Sequence, residues 1–324
     1  MRGDGQRPGA RERGRLAEAV AAALERFLLP LVIVVAAAGI AAPAPGRAVS
    51  AASGIYAALA VLVFATGLSL RLADLAAVRT AWRRITAVLV VSTVALPSLA
   101  WAASRLISDP VLRSGMQTVG VAPAEVATVA LCVIAGGDAA VCAVILAAST
   151  VLTVLAAGPI LSVLGTSATV SQAGLLATLA AVVALPLAAG VGLRAAGAAG
   201  ERLDAVVRIL TVVALLVLLW QVASQIRLDA GYTRVIAALV AYIAGSAVLG
   251  RILSLRLPAA RAAAVLLPVG MRDFAVAAGI AAAAFGPAAA APLGAYGVLV
   301  LLAGTVVAQF TRRGHLRAAQ PPRS

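Results

Sequence analysis

Leu266-Leu267-Pro268-Val269-Gly270-Met271-Arg272-Asp273-Phe274 interrupts an apolar segment in the last third of the chain. Apolar sequence leads into it, and Ala275 to Phe285 continues apolar after it. Proline removes a backbone donor and kinks a helix. Glycine releases the backbone from helical geometry. An arginine or aspartate at membrane depth costs about 2.5–3.5 kcal/mol on the mildest scales. A segment that keeps all four together reads as a broken transmembrane helix lining a polar cavity, with Pro268, Gly270, Arg272 and Asp273 at its centre.

The composition places that segment in a membrane. The 324 residues are 63% hydrophobic and only 12% charged, where soluble domains carry about 25% charge. Mean hydropathy is +1.05. In a soluble protein a net charge of +14 would point to nucleic acid. Here it reflects arginines gathered on one side of a bilayer, so the lipid bilayer is the expected surface partner and nucleic acid is not. There is no lysine. Cys132 and Cys142 lie in apolar sequence without metal-ligand spacing, and the single histidine, His315, is in the basic C-terminal tail. A His-based metal or catalytic centre is therefore excluded, and neither an enzyme nor a resident cofactor is expected.

Apolar stretches near the 20 residues that a bilayer demands fall at about 27–42, 53–70, 84–107, 116–137, 139–164, 172–196, 205–224, 233–254, 259–285 and 288–311. The first follows a basic start, as a secretory signal would, but the spans after it absorb it as span 1. Arginine tests the count, because cytoplasmic loops collect it. With ten spans and the N-terminus inside, twenty of the 26 arginines fall inside. Arg47, Arg105, Arg113, Arg227 and Arg234 fall outside, and Arg272 alone lies in the membrane. A wrong count would scramble this alternation. The expected organisation is a basic cytoplasmic tail at 1–24, partly helical from about Leu16, one transmembrane domain at 25–311, and a second basic tail at 312–324. The setting is the cytoplasmic membrane, with both termini inside.

Five spans in each half, about 25–164 and 172–311, require the halves to insert in opposite orientations. Each half carries its interrupted segment fourth: Pro123 with Glu125 in span 4, and Pro268 to Asp273 in span 9. Paired interrupted segments in inverted repeats point to a transporter site near the midplane, where half-helix ends present backbone groups and dipoles. Thr128 and Gln117 are cavity candidates. Asp138 is either a site residue or the N-cap of span 5.

Several stretches together resemble the bile acid:sodium symporter family over about residues 25–311. Span 2 reads Ala65-Thr66-Gly67-Leu68-Ser69-Leu70, followed by Asp74 and a basic run. Pro123 is followed by Gly137-Asp138-Ala139-Ala140, Ser149-Thr150 and Pro159, and span 9 gives Val269-Gly270-Met271-Arg272-Asp273. The resemblance implies an all-α membrane protein of ten transmembrane helices in two inverted five-helix repeats. It also implies a panel domain (spans 1, 2, 6 and 7), a core domain (3–5 and 8–10), and broken helices 4 and 9 crossing near the midplane. The implied function is secondary active transport of a small organic anion by alternating access. The sodium-ligating glutamate of span 9 falls on Pro268 and the glutamine on Arg272. The span-4 ligands fall on Thr128 and Val129, and those of span 5 on Cys142 and Leu146. Most hard oxygen ligands are thus replaced, which argues against sodium coupling; sodium and a proton are the two candidate coupling ions.

Arg272 is permanently charged and donates bidentately to anions. It stands where a cation stands in relatives, or it pairs with an anionic substrate. Asp273 pairs with Arg272, given local unwinding at Gly270, or takes up a proton. An arsenite-efflux carrier shares the architecture but looks for a cysteine directly after the span-4 proline, where Ala124 stands. An intramembrane protease needs paired Asp or Ser/His motifs, and a sensor needs an output domain; neither is present in the sequence.

Overall fold

Alanine, leucine and valine in runs of this length satisfy their backbone only by helix formation once water is removed, and helices are what form. The computed structural model describes residues 8–51, 53–69, 82–165, 171–197, 200–227 and 231–318. Leu70, Asp74 and Arg79 lie outside the described residues. In chain order the helices are α1 (Pro8–Arg26), α2 (Leu28–Ala41), α3 (Pro43–Ala51), α4 (Gly54–Ser69), α5 (Trp82–Ser104), α6 (Pro110–Val121), α7 (Thr128–Ile134) and α8 (Ala139–Val163). They continue with α9 (Gln172–Leu179), α10 (Leu185–Ala195), α11 (Glu201–Ala223), α12 (Tyr232–Ser254), α13 (Ala259–Gly270), α14 (Phe274–Phe285) and α15 (Ala291–Ala318). A π-turn at Ala180–Ala184 joins α9 to α10. It lies one residue ahead of Pro186, whose missing N–H and bulky ring a regular helix cannot accommodate.

Among the described residues six helices are long and apolar enough to cross a bilayer, or up to eight if two bent pairs, Leu16–Leu24 with Leu28–Ala41 and Pro43–Ala51 with Gly54–Ser69, each form one span. The N-terminal segment expected to become helical from about Leu16 is helical from Pro8. It packs along α11, where Arg208 donates to Glu18. The two segments read as spans 4 and 9 are each a pair of half-helices: α6 with α7 across 122–127, and α13 with α14 across 271–273.

Contacts sort the connections into two ends of the bundle. Arg47 Nε donates to Ser224 O at 2.8 Å, Arg234 Nη1 to Ser108 Oγ at 2.5 Å, and Tyr232 Oη to Ala291 O at 3.1 Å. The sparse outer arginines of the sequence therefore share one end. Residues 137–138 meet 260 at the other, through the Asp138 N–H donating to Ala260 O at 3.0 Å.

Glycine brings backbones together where α4 meets α10. A Cβ on Gly67 would lie 2.5 Å from Leu187 O, and one on Gly190 would lie 2.4 Å from Phe64 O. Small residues permit such approach where lipid offers no hydrophobic drive.

Candidate functional site

The two breaks lie against each other. Ala124 and Arg272 form an isolated antiparallel bridge, the only β-type pairing among the described residues. The Asp273 N–H donates to Pro123 O at 2.8 Å and the Glu125 N–H to Met271 O at 3.0 Å. Each break thus supplies partners to the other. Side chains of neighbouring helices complete the set. Ala124 N–H donates to Ser149 Oγ (3.0 Å), Thr153 Oγ1 donates to Val121 O (2.9 Å), and Ser246 Oγ to Gly270 O (3.1 Å). The Arg272 N–H donates to Tyr296 Oη at 3.1 Å. Non-helical backbone at membrane depth survives only when buried in protein and satisfied like this.

The break in span 9 differs from the expectation built on Pro268 and Gly270. The helix runs through both, and Met271 leaves it in extended geometry (φ −122°, ψ 116°). A Cβ on Gly270 would meet only ordinary contacts, the nearest at 3.6 Å from Ala247. Pairing with the opposite break, rather than glycine's freedom, sets where this helix ends.

Arg272 and Asp273 do not pair, against one of the two roles foreseen for them. Asp273 Oδ1 caps α14, accepting from the N–H groups of Ala275 (2.8 Å) and Val276 (2.9 Å). Glu125 Oε2 accepts from the neighbouring Phe274 N–H at 3.3 Å. Two carboxylates, 1% and 3% exposed, thus meet at one half-helix N-terminus. Arg272, 7% exposed, points the other way: Nη2 donates to Ala122 O, and Nη1 lies 3.5 Å from Pro268 O. No ion pair involves Arg272 among the described residues. Its Nε is unpartnered, as is Ser92 Oγ. Both residues line a cavity holding about 30 Å³ of water-sized space, together with Ser149 and Thr153. That is room for about two waters.

Thr128 is fully buried, one turn beyond Glu125; its Oγ1 donates to Glu125 O at 2.5 Å and takes a 3.7 Å contact from Cys142 Sγ. Of the four positions that the resemblance equates with ligands of spans 4 and 5, only Thr128 has a hard side-chain oxygen, and that oxygen is engaged. Asp138 lies apart. It caps α8 through Val141 N–H at 3.2 Å, eleven residues before Ser149, which is about 16 Å along a helix. Gln117 is also away from the crossing. It donates to Ser104 Oγ at 3.0 Å and lines a cavity of about 330 Å³ with Arg105 and Arg113.

The crossing thus gathers Pro123, Glu125, Thr128, Pro268, Gly270, Arg272 and Asp273, and excludes Asp138. Sequence reasoning missed Tyr296, Tyr242, Ser246 and Thr153. The two tyrosine rings meet edge to face, centroids 6.1 Å apart. Ser149 and Thr153, one turn apart in a mostly apolar helix, were the signal available for the hydroxyl support.

Ala124 follows Pro123 with its methyl group buried in the break, so no sulfur is presented there. Cys132 and Cys142 are buried in α7 and α8. A model of the SBF-like CPA transporter family matches residues 25–294. No curated protein matches the chain.

Proposed function

This chain belongs to the SBF-like CPA transporter family, within the superfamily of the bile acid:sodium symporters, and from that premise we propose that it is a proton-coupled secondary transporter of a small organic anion, in which Arg272 is a built-in replacement for a bound cation. The carrying observation is the position of the guanidinium. It donates to Ala122 O and approaches Pro268 O, one carbonyl at each break. Carbonyls freed by unwound helices are the groups that hold sodium in broken-helix transporters. An arginine cannot leave, so the ion it replaces cannot be a coupling ion.

The charge count then selects the proton. Glu125, Asp273 and Arg272 are the charged side chains buried at the crossing, and together they carry a formal charge of −1. The α14 N-terminus offsets about half a charge. An unbalanced charge at this depth is costly, so a proton shared by the two carboxylates belongs to the loaded state. Without it the site repels an anion; with it the site is neutral and admits one. That order couples the two fluxes in the same direction. The separate cavity lined by Arg105 and Arg113 favours an anionic substrate by raising its local concentration at that end of the bundle.

The architecture that accompanies this reading is ten spans in inverted repeats of about 25–164 and 172–311, with panel and core rocking about the crossing. α2 and α4 supply spans 1 and 2. The membrane is the cytoplasmic one, with both termini inside.

Proteoliposomes test the reading. A panel of small carboxylates and sulfonates is offered under an imposed proton gradient or an imposed sodium gradient. Uptake driven by protons, and lost in Glu125→Gln or Asp273→Asn, is expected. Uptake driven only by sodium would overturn it.

A further inference from the structure

A second cavity lies away from the crossing, at the end of the bundle where 137–138 meet 260. It holds about 280 Å³ between α5, α8, α12 and α13. Val88, Val91, Val141, Leu253 and Val265 make its walls apolar, and Arg256 and Arg261 stand at its rim. Neither guanidinium has a hydrogen-bond or ion-pair partner among the described residues. Asp138, whose N–H donates to Ala260 O, uses Oδ1 on the Val141 N–H. Val91 and Leu255 are 40% and 52% exposed, so the cavity opens sideways toward lipid.

We propose that this groove binds one anionic phospholipid, its phosphate on Arg256 and Arg261 and part of an acyl chain against Val88, Val91 and Val265. Charge complementarity commits the groove to this occupant. A zwitterionic lipid brings its own ammonium beside the phosphate, so it leaves the net double positive charge of the rim uncompensated. A free phosphate leaves the apolar walls unused. Basic pockets between transmembrane helices on the arginine-rich side are where anionic headgroups dock. The bound lipid bridges α13, which carries one break, to α5 and α12, so it braces the crossing from outside.

The test uses the full chain in neutral detergent, titrated with phosphatidylglycerol, phosphatidylcholine or inorganic phosphate, with bound lipid read by native mass spectrometry and melting temperature in parallel. Phosphatidylglycerol should bind and raise the melting temperature, while the other two do not. Each arginine near a membrane surface is worth about fivefold in binding, so Arg256→Gln with Arg261→Gln should weaken phosphatidylglycerol by about 25-fold. Lysine at both positions should retain most of the affinity. The exposed Arg256→Gln alone, which leaves the fold undisturbed, should cost about fivefold. Val88→Trp, filling the groove, should also weaken the lipid. Unchanged phosphatidylglycerol binding in the glutamine variants, equal binding of phosphatidylcholine, or an equal rise with inorganic phosphate would each overturn the proposal.

Discussion

Ala124 and Arg272 face each other across an antiparallel bridge formed by two interrupted helices 148 positions apart in sequence. Around that bridge the N–H groups of Ala124, Glu125, Arg272 and Asp273 each have a specific partner. The crossing is therefore a structural element as well as a candidate site, and its supports can be removed one at a time.

Ser149 is the clearest support. Ser149→Ala leaves the buried Ala124 N–H without its acceptor, which costs about 1–3 kcal/mol. Ser98, exposed and bonded only to Val94 O one turn back, is the control; its alanine variant should lie within about 0.5 kcal/mol of wild type. Melting temperatures of the two variants in detergent check the difference. Equal values would mean that the crossing does not depend on α8.

Arg272 separates geometry from charge. Arg272→Ala should abolish transport. Arg272→Lys should retain only a small fraction, because an ammonium cannot reproduce the planar fork that reaches carbonyls on both breaks. Initial rates in proteoliposomes decide. Full activity in the lysine variant would reduce Arg272 to a point charge, and full activity in the alanine variant would remove it from the mechanism.

Two glycines in α10 should respond with opposite signs. Gly190→Ala drives a methyl group into Phe64 O, and such overpacking costs about 1–3 kcal/mol. Gly192→Ala meets nothing within 4 Å and gains helix propensity, up to about 1 kcal/mol. A lower melting point for the first and a higher one for the second are expected. An unchanged or higher melting point for Gly190→Ala would place the α4–α10 contact elsewhere.

Gln221 is buried in α11, with neither amide atom partnered. Replacing an unsatisfied buried amide with an apolar side chain of similar shape is neutral or stabilising. Gln221→Met should therefore hold or raise the melting temperature. A marked drop would reveal a partner for the amide.

The sequence already contained the pair of broken segments, because proline and charge inside apolar runs have few other uses. The alternation of arginine likewise anticipated that Arg47, Arg113 and Arg234 share one end. What could not be read was which groups meet across the crossing. Arg272 and Asp273 are adjacent in sequence and opposite in sign, so pairing looked natural. Yet an N-cap two residues away and carbonyls on the other break offer each a better partner, and the second of these is nonlocal. The position of the break was equally hidden. Pro268 and Gly270 mark it approximately, but the strand-like pairing with 123–125 fixes it at Met271. Asp138 was ambiguous for a different reason: an aspartate ahead of an apolar helix serves as a cap wherever that helix begins, and here it begins far from the crossing.

The central claim is that Arg272 occupies the place of a bound cation. It is tested most directly by the melting temperature of the purified wild-type chain in sodium chloride and in choline chloride at matched ionic strength. A cation bound only to the folded state at 100 times its dissociation constant stabilises by about 2.7 kcal/mol. The account predicts the same melting temperature in both salts. A rise specific to sodium would show an ion site rebuilt around the arginine and would contradict it.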